Sequence, residues 1–253
     1  MGLTAKLYSN AKPKAKAKVA GSVFERIETF TGEVILYDDI THTYKTLEDV
    51  IMTSGSQWAE QQGDGFPKNL ILPRTSKAWG IPEDVIDDMW IMNGDVSKAF
   101  GTAVHKALEY IHRYHIEGEQ IQKLKGLDEN YCLPKSPYLR QVVTRFVDEF
   151  GLDAMPEVFL SDIERNMVGQ VDLLKIINLE SKVCRVQDFK TTVKIDNKKL
   201  KEYQLQMSFY ADILRSMGWT VLGLDLFIWV HEDNRWKKIE QEPLLINIVK
   251  GDL

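Results

Sequence analysis

The stretch MVGQVDLLKIINLESKVCRVQDFK, residues 167–190, decides the fold of this chain. Two apolar segments, Met167–Ile177 and Lys182–Lys190, lie on either side of the tetrapeptide Asn178-Leu-Glu-Ser181. Apolar runs of this length, separated by a few turn-forming residues, are typical of two antiparallel strands joined by a tight connection. The sequence therefore predicts a β-hairpin here.

This hairpin is expected to gather charged side chains at one place. Because successive side chains of a strand point to opposite faces, Asp188 and Lys190 share one face and Phe189 takes the other. Pairing of the two strands brings Asp172 close to Asp188. Two converging carboxylates raise each other's pKa, and a divalent cation removes that conflict. Oxygen ligands select Mg²⁺ or Mn²⁺, so the hairpin predicts a metal site.

The hairpin lies between segments of helical periodicity. Apolar residues recur at helical spacing from Val96 to Ile111, which predicts a helix over Asp95–His115 with Asp95 as its N-cap. The other predicted elements of this half are, in order, a helix over 138–150 ended by Gly151, a strand over 157–160, a basic loop over 194–201, a helix over 202–217 and a strand over 221–231.

This order of elements favours an α/β fold with a central mixed β-sheet flanked by helices. We expect three parts: a disordered basic tail over 1–21, an N-terminal α+β extension over 22–94, and a core over 95–253. The tail carries lysines and no acidic residue. Within the extension, the prolines and glycines of 67–82 predict a loop, and 85–91 is predicted as a short helix.

Two polar pairs occur at helical i, i+4 spacing, which places their side chains on one face of each helix. His105 and Glu109 form the first pair, and Gln206 and Tyr210 the second. His112 lies on the same helix face as the first pair, and we expect it to be solvent-exposed or to act as a capping residue.

Composition excludes several classes of protein. The chain contains two cysteines, so a four-cysteine iron–sulfur or zinc site within one chain is impossible. This cysteine usage fits a reducing, cytoplasmic setting, and no apolar run is long enough for a membrane helix. The net charge of −5 does not suggest a protein that coats nucleic acid. An enzyme that acts on nucleic acid remains compatible with it, because a carboxylate cluster is acidic until it binds its cation.

Four short motifs together resemble a known family. Gly101-Thr-Ala-Val-His105-Lys-Ala-Leu-Glu109, Gly169-Gln-Val-Asp172, Asp188-Phe-Lys190-Thr and Gln206-Met-Ser-Phe-Tyr210 are similar to the motifs of the PD-(D/E)XK nuclease superfamily. More narrowly they resemble its RecB-like branch, which includes phage exonucleases and the mitochondrial genome-maintenance exonuclease. The resemblance covers roughly residues 95–231 and implies a restriction-endonuclease-like core. Members with an iron–sulfur cluster carry four cysteines and are excluded.

The resemblance implies a role for each motif residue. It implies that Mg²⁺ or Mn²⁺ is bound by His105, Asp172, Asp188 and the Phe189 carbonyl, with Glu109 acting through water. Lys190 would orient or deprotonate the attacking water and stabilise the transition state. Gln206 and Tyr210 would hold the lysine or the phosphate in place. Glu157 is a further acid near the sheet that we leave outside this set.

Both site predictions have a plainer alternative. Asp172 and Asp188 would also be satisfied as a structural ion pair with Lys190. The lysines of the predicted basic loop over 194–201 could simply be exposed to solvent and bind nothing. Since the lysines follow Asp188-Phe-Lys190 directly, we predict instead a DNA-contacting rim formed by Lys194, Lys198, Lys199 and Lys201.

The resulting hypothesis is a metal-dependent DNA exonuclease of phage or mobile-element recombination, replication or repair. Its expected partners are a DNA single strand or DNA end, and a single-strand annealing or replication protein, in the host cytoplasm if the protein is phage-encoded. Two alternatives stay open. One is an endonuclease or junction resolvase on the same core, and the other is a catalytically silent DNA- or partner-binding protein. RNA cleavage also stays open.

Overall fold

The computed structural model describes residues 17–18, 23–38, 40–63, 65–125, 134–192, 195–246 and 248. These residues form a mixed ten-stranded sheet and five helices. The strands are β1 Ala17–Lys18, β2 Glu25–Glu28, β3 Val34–Asp38, β4 Thr43–Lys45, β5 Ile51–Ser54, β6 Met155–Asp162, β7 Met167–Asn178, β8 Val183–Lys190, β9 Thr220–Val230 and β10 Arg235–Gln241. The helices are α1 Gly55–Gln61, α2 Lys68–Trp79, α3 Glu83–Lys125, α4 Pro137–Phe150 and α5 Asn197–Ser216.

The predicted hairpin is confirmed as β7 and β8, which pair antiparallel through Leu173 with Gln187 and Ile176 with Cys184. Strand β6 pairs antiparallel with the other edge of β7, and β9 lies parallel to β8. The predicted α/β class with a mixed sheet flanked by helices is therefore confirmed. Among the described residues, no helix combines the length and apolar character needed to cross a bilayer.

Strand β7 carries two neighbours on one edge. Its first residues pair in parallel with β5, through Thr53 with Met167 and Ser54 with Val168. Its second half pairs with β8 from Leu173 onward. The strands therefore diverge around Asp172, and their backbones leave room there for side chains to converge. Through β5, the N-terminal strands β1 to β4 continue the same sheet.

Apolar residues pack on both faces of the sheet. One cluster lies under α5 and includes Val186, Met207 and Leu226. A second lies under α3 and α4 and includes Leu108 and Phe146. This packing fixes α3 and α5 against the sheet, and both helices carry predicted site residues.

One predicted loop is a helix. Residues 68–79, expected to be a loop, form α2, with Pro73 inside it and Gly80 ending it at a left-handed φ of 68°. Pro73 removes only one backbone donor, and its neighbours are ordinary helix formers, so the helix persists. Every residue of α2 is at least partly exposed. Its sequence therefore lacks the periodic apolar positions from which a helix is predicted.

Helix α3 is longer than predicted. It begins at Glu83, runs without interruption through Asp95, and includes the short helix expected over 85–91. Asp95 is therefore inside the helix, and its prediction as the N-cap was wrong. A glycine inside a helix costs only about 1 kcal/mol, so Gly94 does not end it. Packing of α3 on α2, with Ile86 fully buried, supports the added turns.

The segment expected as a basic loop over 194–201 is largely helical. Helix α5 begins at Asn197, and the side chain of Asp196 caps it by accepting a hydrogen bond from the Lys199 backbone N–H at 2.8 Å. Lys198, Lys199 and Lys201 therefore project from its first turns. Lys194 lies outside the described residues, as does most of the predicted tail over 1–21.

Candidate metal and nuclease site

A row of three acids crosses neighbouring strands. Pairing of Leu173 with Gln187 sets Asp172 opposite Asp188 across the β7–β8 hairpin. On the other edge of β7, the pairs Pro156–Leu173 and Val158–Val171 set Glu157 opposite Asp172. Strand register thus fixes the closeness of all three carboxylates, and Glu157 joins a site from which we had left it out.

Helix α3 brings His105 to the same place. Its Nε2–H donates to the Phe189 carbonyl at 3.1 Å, and its Nδ1 lies 3.4 Å from Oδ2 of Asp172. The Asp172 carboxylate also accepts a hydrogen bond from the Phe189 N–H at 2.8 Å. A buried Phe189 ring meets the imidazole edge to face, with centroids 5.6 Å apart. These contacts join α3 to the strand ends where β7 and β8 diverge.

Lys190 and Asp188 point the same way, as strand alternation predicted. The Lys190 ammonium lies 2.6 Å from Oδ2 of the buried Asp188. It also lies 5.0 Å from the ring centroid of Tyr203 on α5. Burial alone would lower the pKa of Lys190, but Asp188 and Asp172 outweigh burial and raise that pKa.

His105 and Asp172 favour each other's charged forms. Burial would lower the pKa of His105, but the adjacent Asp172 raises it to about 9. Burial would raise the pKa of Asp172, but His105, Lys190 and the Phe189 N–H lower it to about 2. In the protein without metal, the charged imidazolium of His105 therefore lies where the carboxylate of Asp172 stabilises a positive charge.

The surroundings of the other two acids of the row, Glu157 and Asp188, disfavour their charged forms. Burial, followed by repulsion from Asp172 and Glu109, raises the pKa of Glu157 to about 8. Burial also raises the pKa of Asp188 to about 6, with Asp172 contributing and Lys190 opposing. Carboxyl groups held together at this cost are typical of sites that a cation completes.

The donor set fits a divalent cation. Among the described residues, His105, Glu157 and Asp172 each offer one ligand atom, and these atoms lie within 4.8 Å of one another. Two carboxylate oxygens and an imidazole suit a hard or borderline cation such as Mg²⁺ or Mn²⁺. Asp188 and the Phe189 carbonyl border this group through Asp172 and His105.

Glu109 is nearby but differently engaged. Its buried carboxylate accepts from Lys106 at 3.0 Å and from Arg113 at 2.7 Å. It repels Glu157 strongly enough to contribute to the raised pKa of that group. Glu109 therefore borders the cluster while its own charge is balanced by two cations of α3.

The predicted pair on α5 meets the sheet as a packing unit. Gln206 donates to the Tyr210 hydroxyl at 3.1 Å. The Tyr210 ring packs on two glycines: a Cβ added at Gly169 would lie 2.2 Å from it, and one added at Gly55 would lie 2.5 Å from it. The residue that contacts Lys190 is instead Tyr203, one turn earlier, which we had missed. The i, i+3 spacing of Tyr203 and Gln206 was the available signal.

Two of the predicted DNA-binding lysines border a groove. Lys198 and Lys201 of α5 face the end of α1 at Gln62 and Gly63 across a groove of about 220 Å³. Helical spacing places Lys199 on a different face of α5, shared with Tyr203 and Gln206. The lysines therefore divide between the groove and the face of α5 next to Lys190.

His112 differs from its expectation. It is 1% exposed, and its Nδ1 lies 2.8 Å from the Leu108 carbonyl. Helical spacing from Leu108 places it on the core-facing side of α3 rather than in solvent. Its prediction as an exposed or capping residue was wrong.

Comparison with known proteins identifies the family of the chain. No curated protein matches the chain. The solved structure described as "Crystal structure of SSO0001" is similar over 56% of this chain and 65% of that one, with 17% identity and a TM-score of 0.30. The model of the PD-(D/E)XK nuclease superfamily matches residues 83–245, a range that includes the site residues on α3, α5 and β6 to β8. The chain belongs to the PD-(D/E)XK nuclease superfamily.

Proposed function

We propose that this protein is a metal-dependent deoxyribonuclease that acts as an exonuclease. The observation that carries the proposal is the convergence of His105, Glu157 and Asp172 beside the Asp188–Lys190 pair. A structural ion pair would satisfy Asp188 and Lys190 alone. It would not account for Glu157, a half-buried acid whose pKa is raised to about 8.

In this proposal His105, Glu157, Asp172 and Asp188 hold Mg²⁺ or Mn²⁺, with the Phe189 carbonyl and Glu109 at the border. When bound, the cation would supply Lewis-acid polarisation of the phosphate and a more acidic water. Lys190 orients the attacking water and stabilises the negative charge that develops on the phosphoryl oxygens. Gln206 and Tyr210 hold the face of α5 against the sheet.

The finer assignment rests on the sequence motifs. Their RecB-like form favours an exonuclease of phage or mobile-element recombination, replication or repair. The substrate would then be a DNA single strand or end, and a single-strand annealing or replication protein would be a fitting partner. We place this activity in the cytoplasm, that of the host if the protein is phage-encoded.

We further propose that phosphates of the DNA contact the lysines of α5. Lys198 and Lys201 border the groove toward α1, and Lys199 lies on the face shared with Gln206. Lys194 is retained as a fourth contact from the sequence. Their ammonium groups form a local positive region on a chain whose net charge is −5, and such a region attracts a polyanion.

Cleavage of three labelled DNAs tests the function. The purified protein is incubated with linear single-stranded, linear duplex and circular single-stranded DNA, each with Mg²⁺, Mn²⁺ or EDTA. We expect metal-dependent loss of linear DNA only. Asp188→Asn and Lys190→Ala should each lower kcat at least about 100-fold, because both act on the transition state. Asp233→Asn, at a half-exposed side chain, is the matched control and should cleave normally.

The alternatives are separate outcomes of this experiment. Cutting of the circle would replace the exonuclease with an endonuclease. Absence of cutting under every condition would overturn the nuclease proposal in favour of a silent binding protein. Thermal melting then gives an independent readout of the metal: saturation at 100 times Kd should add about 2.7 kcal/mol to the stability of the wild type. Asp172→Asn should abolish that gain.

DNA binding tests the lysines. Affinity for single-stranded DNA is measured by fluorescence anisotropy at several salt concentrations, with Ca²⁺ in place of Mg²⁺. Lys198→Ala combined with Lys201→Ala should weaken binding and reduce the salt slope by roughly 1.4, since each lost phosphate contact on single strands removes about 0.7. Lys237→Ala, at an exposed position of strand β10, is the control. Equal affinity and slope in all variants would remove these lysines from the DNA path.

A further inference from the structure

The Lys190 ammonium lies between an acid and an aromatic ring. Asp188 contacts it at 2.6 Å, and the centroid of the Tyr203 ring is 5.0 Å away. The Lys190 side chain is 20% exposed, so little solvent competes with either neighbour. A cation over a ring face is attracted by the ring quadrupole, and the attraction strengthens when the pair is desolvated.

Helix α5 holds Tyr203 firmly in this place. Tyr203, Gln206 and Tyr210 follow one another at i, i+3 and i+7, so they share one face of the helix. Tyr210 is the anchor of that face, because its ring packs directly on Gly169 and Gly55. Gln206 is bound to Tyr210 through a hydrogen bond. The position of the Tyr203 ring is therefore set by the same contacts that set the distance between α5 and the sheet.

We propose that Tyr203 is a positioning residue for Lys190, and that it acts through the face of its ring. This inference rests on the proposed nuclease function. A ring face attracts the ammonium without accepting a directional hydrogen bond. It limits the conformations of a long side chain on one side and leaves the N–H donors free for Asp188 and for substrate phosphate. A carboxylate in the same place would instead take up a donor and repel the substrate.

The alternative role of Tyr203 is simple packing at the start of α5. Packing depends on ring size and shape, whereas attraction of a cation depends on the electron density of the ring. The two roles therefore separate in a series that changes the electron density and leaves the shape nearly constant. Phenylalanine and its mono-, di- and trifluorinated forms provide such a series at position 203.

Single-turnover cleavage of a short oligonucleotide is measured across this series and for Tyr203→Leu. We expect Tyr203→Phe to retain most of the wild-type rate. The rate constant should fall stepwise with fluorination and reach a loss of about 5- to 30-fold in Tyr203→Leu, the range of a partly desolvated cation–π contact. KM should change less than about 2-fold, because the contact serves the reacting lysine rather than the binding of DNA.

Each outcome has a distinct meaning. A flat fluorinated series, with or without a loss in Tyr203→Leu, would overturn the inference and leave Tyr203 as a packing residue. A rise in KM with an unchanged rate constant would overturn it too, by making Tyr203 a DNA contact. Thermal melting of every variant identifies losses due to unfolding. Failure of the nuclease proposal is seen separately, because the wild type itself would then not cleave.

Discussion

His112 shows how burial sets the protonation state of a single residue. It is 1% exposed and packs beside Phe146, with ring centroids 6.0 Å apart. Burial, with a smaller contribution from the charge of His115, lowers its pKa to about 4, against the hydrogen bond to the Leu108 carbonyl and the charge of Asp153. The folded protein therefore holds a neutral imidazole, whereas the unfolded chain protonates near pH 6.5.

This shift predicts a loss of stability in mild acid. The folded pKa lies below the unfolded one, so the unfolded state binds more protons as the pH falls from 6.5 toward 4. At pH 5 the protein should have lost about 2 kcal/mol of unfolding free energy through this group. Urea unfolding of the wild type and of His112→Gln at pH 7 and pH 5 measures it. The variant keeps a donor for Leu108 and should lose correspondingly less.

His115, three residues further along α3, supplies the control. It is exposed, and its charge contributes only a minor part of the lowered pKa of His112, so His115→Gln should lose nearly as much stability in acid as the wild type. If His112→Gln lost as much stability in acid as the wild type, the buried imidazole would not be the group responsible.

Residue-level prediction from sequence worked where the chemistry is local. Asp172, Asp188 and Lys190 lie within one hairpin, so alternation and pairing sufficed to bring them together. Glu157 required the register of β6 against β7, which depends on the length of the turn after Asp162. Counting back from that turn would have placed Glu157 opposite Asp172. Tyr203 required the position of α5 over the sheet, which no local pattern contains.

Between elements, the contact of α5 with the sheet depends on the absence of two side chains. The Tyr210 ring occupies the space where Gly169 and Gly55 would otherwise carry a Cβ. Because interiors are close-packed, an added methyl group there has nowhere to go unless the ring moves. The glycine in the sequence motif Gly169-Gln-Val-Asp172 is thus explained by helix packing.

Gly169→Ala should therefore destabilise the protein by about 1–3 kcal/mol, as overpacked cores usually do. It should also slow DNA cleavage, because a displaced Tyr210 shifts the α5 face that carries Tyr203. Chemical denaturation and a cleavage assay measure the two effects. Gly94→Ala is the matched control: an added Cβ meets nothing within 4 Å, and the residue is inside α3. That variant should gain up to about 1 kcal/mol. Equal stability of both variants would refute the packing argument.

Elements were predictable from sequence when burial enforced a period. Helix α4, predicted over 138–150, is observed over Pro137–Phe150. Its buried residues Val142, Val143 and Phe146 recur at helical spacing between exposed ones, and this periodicity made the helix predictable. Helix α2 buries no residue, and Pro73 in its middle favoured a loop. The start of α3 was misplaced for a related reason: Asn93-Gly94-Asp95 has the composition of a helix boundary, and only tertiary packing on α2 carries the helix through it.

At the scale of the whole molecule, N-terminal residues complete the core under α5. Trp58 of α1 is buried against Phe209, with ring centroids 5.6 Å apart. Met52 of β5 is 1% exposed and belongs to a separate cluster that includes Val168 of β7. Strand β5 pairs directly with β7, next to the site. A domain boundary after residue 94 remains our prediction from sequence. A core separated at that boundary would lack strand β5, which pairs with β7, and helix α1, which packs on α5.

A fragment that starts at Glu83, the first residue of α3, should consequently fail to form a stable nuclease core. It would expose Phe209, Tyr210 and Val168 to water, since Trp58, Gly55 and Met52 would be missing. We expect no cooperative thermal transition by circular dichroism and strong binding of a hydrophobic dye. In the full chain, Trp58→Ala should cost about 3–5 kcal/mol, as for other buried aromatic residues, and so report the same contact without truncation. A fragment that melted within a few degrees of the full chain, together with a mild effect of Trp58→Ala, would show that the nuclease core is independent of the residues before it. The position of α5 over the site would then depend on its contacts with β7 and β8 alone.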